Sequence, residues 1–121
     1  MSRGRLPEAF RERTKAFAAK IIRLYVRLPK ERGEVSVLGK QLLRSATSIA
    51  AQGREASRAR SGAEFVSKLS GAIQEADESV LWLELLREEC GIGEAMLRPL
   101  EVEADELIAI MTTMVRRTKL T

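Results

Sequence analysis

The residues of this chain that most clearly suggest a chemistry are the arginines and lysines concentrated in its first half. Residues 1–60 hold fifteen Lys/Arg and five Asp/Glu, a net charge of +10, whereas 61–121 hold six and twelve, a net charge of −6. Guanidinium and ammonium groups bind phosphate, so an exposed basic surface would suit a nucleic-acid backbone. The alternative is that basic helices pack beside acidic helices of the same molecule, and the charge distribution leaves both interpretations open.

The basic side chains recur at helical spacing in two segments. In predicted helix 1 the basic side chains lie beside the apolar stripe. In predicted helix 2 most of the basic side chains lie opposite the apolar stripe or in the turn that follows the helix. Each row could equally be a solvated face, and the sequence does not determine whether the two rows merge. The candidate nucleic-acid-binding residues are Arg13, Lys20, Arg23, Arg27, Arg44, Arg54, Arg58 and Arg60.

The composition argues against most catalytic and metal chemistry. The chain has no histidine, which removes the commonest general base and metal ligand, and its lone cysteine, Cys90, cannot build a thiolate cluster or an internal disulfide. Glu55, Glu75 and Glu78 could form a carboxylate cluster inside a bundle, but di-metal bundles use Glu-x-x-His pairs. We expect these carboxylates to pair with Arg44 or with serines, and we predict no enzymatic activity, no metal and no cofactor.

The elements that position these residues are predicted to be four long helices. Apolar residues recur at 3.6-residue periodicity along nearly the whole chain, and no strand-like alternation occurs. The predicted helices span about 7–28, 37–58, 62–90 and 97–117, in one domain over 1–121. This pattern predicts an all-α fold, an antiparallel up-down-up-down four-helix bundle. The stripe of helix 1 consists of Phe10, Thr14, Phe17, Ile21, Leu24 and Leu28.

Several residues predict where the helices begin and end. Pro29 should end helix 1, and Ser36 is a plausible N-cap for helix 2. Ser61 and Glu64 have the spacing of a capping box at the start of helix 3. Gly91 occupies the position at which a left-handed residue commonly ends a helix.

Trp82 is the unusual residue of helix 3. It lies beside the apolar stripe, on the same side of the helix as Glu75 and Glu78. Large aromatic residues outside a core often mark subunit contacts, so we consider Trp82, Glu75 and Glu78 candidates for a subunit interface. The alternative is that the indole ring only covers the edge of the core of its own chain.

Nothing in the sequence indicates a membrane segment. The longest uncharged runs, 45–53 and 107–115, have nine residues each, far short of the ~20 needed to cross a bilayer. The amino-terminal residues include no apolar signal region, and a single cysteine fits a reducing compartment. We therefore expect a cytoplasmic protein with no membrane partner.

One long run of the sequence resembles a known family. The segment LLRSATSIAAQGREASRARSGAEFVSKLSGAIQEADESVLWLELL resembles the bacterial four-helix-bundle proteins encoded in intervening sequences of large-subunit ribosomal RNA genes. The helix 1 pattern ERTKAFAAKIIRLYVRLP and the segment EADELIAI extend the resemblance over almost the whole chain. Gln52 departs from the pattern, because the family usually has Asn there. The other matching positions are Arg44, Ser45, Ser48, Glu55, Arg58, Glu64, Phe65 and Glu78.

The resemblance implies an antiparallel bundle that assembles into a homo-oligomer, a five-membered ring, with no established enzymatic activity. The chain is also similar to the accessory protein of diversity-generating retroelements, a basic pentameric bundle whose partners are nucleic acid and a reverse transcriptase. Two hypotheses follow. The first is a homo-oligomeric accessory protein that binds RNA or DNA with little sequence specificity through the basic rows. The alternative is a structural or protein-interaction scaffold whose charge asymmetry drives self-assembly.

Overall fold

Four antiparallel helices form the molecule in the computed structural model, which describes residues 6–120. They are α1 (Glu8–Arg27), α2 (Gly33–Ser57), α3 (Gly62–Glu88) and α4 (Glu94–Lys119). Short connections make each helix antiparallel to the next, and the all-α, up-down-up-down four-helix bundle predicted from the sequence is confirmed. The apolar stripe predicted for α1 is buried over its whole length, as Phe10, Thr14, Phe17, Ile21, Leu24 and Leu28.

Helix α2 begins at Gly33, earlier than the predicted start near Val37. Ser36 is therefore not the N-cap; its N–H already donates to the carbonyl of Arg32, which occupies the cap position in extended conformation. Glu34 stabilises this earlier start, because its carboxylate lies in the first turn and accepts hydrogen bonds from Arg32. Arg32 also donates to the carbonyl of Cys90 at 3.0 Å, which ties the α1–α2 connection to the end of α3.

Helix α4 begins at Glu94, before the predicted start at Leu97 or Pro99. Pro99 lies inside the helix as its sixth residue, just beyond the first turn, so its missing N–H removes the backbone hydrogen bond to the carbonyl of Ala95. The helix carries Glu94 in its first turn and three cations in its last turn, as its dipole favours.

The two ends of α3 follow the sequence pattern closely. The Ser61 hydroxyl accepts from the Glu64 N–H at 3.0 Å, and the Glu64 carboxylate accepts from the N–H of Arg60, one residue before the position expected for a capping box. Gly91 has a φ of +70°, and the N–H of Ile92 donates to the carbonyl of Leu86, so the left-handed end predicted for α3 is confirmed.

The four helices are not packed against one another equally. The α2–α3 and α3–α4 pairs have the most extensive contact, α1–α2 is intermediate, and α1–α4 has the least. Small residues permit the close α2–α3 packing: the Ser45 and Ser79 hydroxyls are buried and 2.8 Å apart. A Cβ on Gly71 would overlap the amide of Gln52, which lies across it and would have to move. The absent side chain of Gly71 is what accommodates Gln52.

Candidate nucleic-acid interface

The eight cations predicted to bind nucleic acid fall into three groups in the folded chain. Arg13 and Arg44 make close ion pairs with carboxylates of other helices. Lys20, Arg23 and Arg27 line a groove between α1 and α4. The remaining three, Arg54, Arg58 and Arg60, lie around the α2–α3 turn.

Arg13 links α1 to α4. Its guanidinium donates to both oxygens of Glu103 at 2.8 Å and to Glu106 at 2.5 Å. These hydrogen bonds, first with Glu103 and then with Glu106, raise the pKa of Arg13. The hydrogen bond from Arg13 lowers the pKa of Glu103, and the charges of Arg13 and Lys20 lower it further against the opposing effect of burial. Arg13 is therefore occupied by two carboxylates of its own chain.

Arg44 is occupied in a similar way on the α2–α3 side of the bundle. Its guanidinium lies 3.1 Å from Glu78 and 3.6 Å from Glu75. Glu55, the third member of the possible carboxylate cluster, pairs with Lys68 at 3.2 Å. The three carboxylates are thus divided between two cations, and no group of three His, Cys, Asp or Glu side chains in residues 6–120 is arranged to hold a metal ion.

Trp82 lies on the same side of α3 as Glu75 and Glu78. The ring is partly buried and packs against the core of its own chain, which is the alternative considered from the sequence. Its indole Nε1 is buried and has no hydrogen-bond partner within the described part of the chain. A contact of Trp82, Glu75 and Glu78 with another subunit remains a prediction.

The α1–α4 groove, as we call the space between these two helices, is open and about 350 Å³ in volume. Its cationic side consists of Lys20, Arg23 and Arg27, all exposed, and none forms an ion pair within 4 Å of a carboxylate in the described chain. Its other residues are mainly apolar and include Leu24 and Leu100, which are buried beneath it. The groove therefore combines unpaired cations with an apolar floor.

A second basic surface lies where the α2–α3 turn meets the end of α4. A Cβ on Gly62, at the start of α3, would contact the Thr118 methyl at 3.4 Å, so the two segments are neighbours. We call this surface the basic end. Apart from a weak pair between Arg60 and Glu64 at 3.9 Å, its cations form no ion pair with any residue of 6–120. The basic end consists of the exposed residues Arg54, Arg58, Arg60, Arg116, Arg117 and Lys119.

Half of the basic end was missed in the interpretation of the sequence. Arg116, Arg117 and Lys119 were explained there only as cations that suit the end of a helix dipole, and they lie more than fifty residues from the α2–α3 turn along the chain. The available signal was the up-down-up-down order itself. In that topology the end of α4 and the α2–α3 turn must lie at the same end of the bundle.

The predicted basic rows of helices 1 and 2 do not merge within one chain. Lys20, Arg23 and Arg27 lie in the second half of α1, next to α4, whereas Arg54 and Arg58 lie in the last turns of α2 and beyond, at the opposite end of the bundle. Any continuous surface that combines both groups would require more than one copy.

The fold and these surfaces define a basic all-α bundle whose described residues contain no metal-binding cluster. The model of the 23S rRNA-intervening sequence protein family matches residues 9–113, and the chain belongs to that family. A crystal structure of a protein of unknown function from the S23 ribosomal protein family of Bacteroides thetaiotaomicron is similar, with 37% identity and a TM-score of 0.77. The alignment covers 87% of this chain and 96% of that one.

Two further searches, for curated relatives and for membrane-spanning helices, give negative results. No curated protein sequence matches the chain. None of the four helices within residues 6–120 has a stretch that is both long and apolar enough to cross a membrane.

Proposed function

We propose that this protein is a non-catalytic, homo-oligomeric accessory protein that binds the phosphate backbone of RNA or DNA through its basic end. The observation that carries the proposal is that six exposed cations lie at this end of the bundle, five of them without a carboxylate partner in the described chain. Unpaired arginines and lysines replace the counterions of a nucleic acid at no cost in broken ion pairs.

The residues of the basic end favour binding with little sequence specificity. Base stacking needs exposed aromatic rings, but Phe10, Phe17 and Phe65 are all buried in the core. The Tyr25 ring is covered by the Lys30 ammonium at 4.8 Å, and Trp82 packs on the core of its own chain. Contacts would therefore be made to phosphates, which position a protein on nucleic acid without specifying sequence.

Oligomerisation would strengthen such binding by repetition. We propose a ring, five-membered as the family resemblance implies, in which each copy presents the same basic end. Several weak phosphate contacts on one polymer then act together. The similarity to the retroelement accessory protein adds a reverse transcriptase as a further partner within this proposal.

The test is a titration of the purified oligomer with fluorescently labelled single-stranded RNA and duplex DNA from 50 to 200 mM salt. If all six cations contact phosphates, affinity for the duplex should fall about 10³-fold over this range. Replacing Arg54, Arg58 and Arg60 with Gln, or Arg116, Arg117 and Lys119 with Gln, should weaken binding at least tenfold and reduce the salt dependence by about half. Light scattering should give a mass near five times 13.5 kDa for each variant.

The matched control replaces Lys20, Arg23 and Arg27 with Gln, which removes the same charge from the α1–α4 groove. We expect this variant to bind both polymers as the unmodified chain does. Absence of binding at 50 mM salt would contradict the proposed function. If only the groove variant lost binding, the nucleic acid would bind to the basic row of helix 1 predicted from the sequence. That result would contradict the assignment of nucleic-acid binding to the basic end.

The scaffold hypothesis makes a different prediction about salt. If attraction between basic and acidic surfaces of neighbouring copies drives assembly, raising salt should dissociate the oligomer. However, several of these charges are already paired within the chain, as Arg13 with Glu103 and Arg44 with Glu78. We therefore expect the mass of the oligomer to remain constant between 50 and 500 mM salt, and dissociation would favour the scaffold.

A further inference from the structure

The α1–α4 groove has a composition unlike that of the basic end. Its floor is formed by Leu24 and Leu100, which are only 4% and 8% exposed, and Met96 stands at its edge with 41% exposure. Pro99 completes the apolar part on α4. A phosphate backbone has nothing to bury against such a floor, whereas aliphatic side chains of a ligand would be stabilised there by removal of their apolar surface from water.

The charge along the groove is mainly positive, because three cations and one carboxylate, Glu103, line it. Lys20, Arg23 and Arg27 follow one side of α1, and the carboxylate of Glu103 at the end of the groove is already held by Arg13. None of these three cations has a carboxylate of the described chain within ion-pair distance, Glu103 included. A ligand that fits the groove should therefore supply both apolar groups for its floor and negative charge for its rim.

The residues that line the groove extend over about two turns of each helix, from Lys20 to Arg27 and from Met96 to Glu103, which suits an elongated ligand. The groove runs between two antiparallel helices that have little direct contact, and its volume of about 350 Å³ admits several side chains but not a whole helix. A helix lying along such a groove places its residues i, i+3, i+4 and i+7 on the floor and its flanking residues at the rims.

We propose that the α1–α4 groove binds an acidic amphipathic helix of a partner protein. Leucine-like side chains of that helix pack on Leu24, Met96 and Leu100, and its Asp or Glu residues pair with Lys20, Arg23 and Arg27. This binding is independent of the proposed nucleic-acid binding, because the basic end contributes no residue to the groove.

The experiment uses the full-length protein and three labelled synthetic peptides in fluorescence anisotropy. The first peptide is helical, with Leu at i, i+3, i+4 and i+7 and Glu at the flanking positions. The second has Lys in place of every Glu, and the third has Gln in place of every Leu. Only the first peptide should bind, and its affinity should fall at least tenfold between 50 and 500 mM salt.

Variants then locate the binding site. Lys20, Arg23 and Arg27 together replaced by Gln should weaken binding of the first peptide at least tenfold, and so should Met96→Asp, which places a carboxylate at the apolar edge. All four residues are exposed, so the bundle should keep its helical circular dichroism spectrum and its thermal midpoint. The matched control, Arg54, Arg58 and Arg60 replaced by Gln, should bind the peptide unchanged.

Five outcomes would overturn the proposal. The first peptide does not bind, or it binds equally to the groove variants. The Gln-for-Leu peptide binds as well as the first, which would show that the apolar floor contributes nothing and that charge alone attracts the peptide. RNA binding is lost in the groove variants and kept in the basic-end variants, which would make nucleic acid the ligand. The oligomer excludes the peptide and dissociates in the groove variants, which would make a second copy of this chain the occupant.

Discussion

The α2–α3 interface and the α1–α4 interface show how one bundle uses charge in two ways. Between α2 and α3, buried serines and Gly71 allow close approach, and the charged residues at the border pair across the helices, as Arg44 does with Glu75 and Glu78. Between α1 and α4, Arg13 makes the only ion pairs in the described chain, and the cations beyond it have no partner. The first interface is closed and serves stability, whereas the second is open and leaves charge and apolar surface available for binding.

The largest expected difference concerns leucines of the two regions. Leu69 is fully buried in the closed core of α3, and Leu24 forms the floor of the open groove. Leu69→Ala should lower the free energy of unfolding by about 3–5 kcal/mol, because it leaves a closed cavity. Leu24→Ala should cost about 2 kcal/mol, since water can enter the space that it leaves. Urea denaturation measures both, and equal costs would show that the groove is closed in solution.

The next prediction concerns the hydrogen bond between the two buried serines of the α2–α3 interface, which should couple the effects of their substitution on the free energy of unfolding. Ser45 and Ser79 share a hydrogen bond, and each hydroxyl also lies within bonding distance of a carbonyl of its own helix. Replacing either serine with Ala should cost about 1 kcal/mol, and the double variant should cost less than the sum by about 0.5–1 kcal/mol. Ser57, whose hydroxyl donates only to Arg54, gives the control. Ser57→Ala and Ser79→Ala should be additive in thermal and urea denaturation.

The smallest effect tests the ion pair that links α1 to α4. Arg13→Gln should lower the free energy of unfolding by about 0.5–1 kcal/mol at pH 7, a modest value because the pair is partly exposed to water. Arg13 lowers the pKa of Glu103, so its stabilising effect is complete above the usual glutamate pKa and is lost as Glu103 becomes protonated at lower pH. The difference between the two proteins should therefore be smaller at pH 3 than at pH 7.

The control for this prediction is Arg23→Gln, because Arg23 has the same side chain on the same helix but no ion pair. It should leave the free energy of unfolding unchanged at both pH values. A cost of Arg13→Gln that is the same at pH 7 and pH 3 would mean that Arg13 stabilises the bundle by packing rather than by charge.

Much of the fold could be predicted because its signals are local. The buried stripe of α1, the Ser61 cap and the left-handed Gly91 all follow from spacings of a few residues. The predicted first residues of α2 and α4 lie a few residues beyond the observed ones, and the reason is also local. Ser36 and Pro99 are strong start signals on their own, but Arg32 with Glu34 and Gly93 with Glu94 begin the helices earlier.

The candidate site was predicted only in part, because exposure and pairing are not local properties. Among the eight cations, Arg13 and Arg44 proved to be paired with carboxylates, and Arg13 meets a partner ninety residues away in the chain. Conversely, Arg116, Arg117 and Lys119 belong to the basic end only because the bundle brings the end of α4 next to the α2–α3 turn. Sequence spacing places side chains on a face of one helix and says nothing of what faces them.

The amino-acid sequence by itself therefore determined the four helices, their apolar faces and the excess of positive charge in the first half. These features depend on hydrophobic periodicity and composition, which can be evaluated from short segments of the sequence. Only the tertiary structure decided which cations are neutralised and which are free. That depends on the lengthwise alignment of α1 against α4 and of α2 against α3, which is set by the packing of the core.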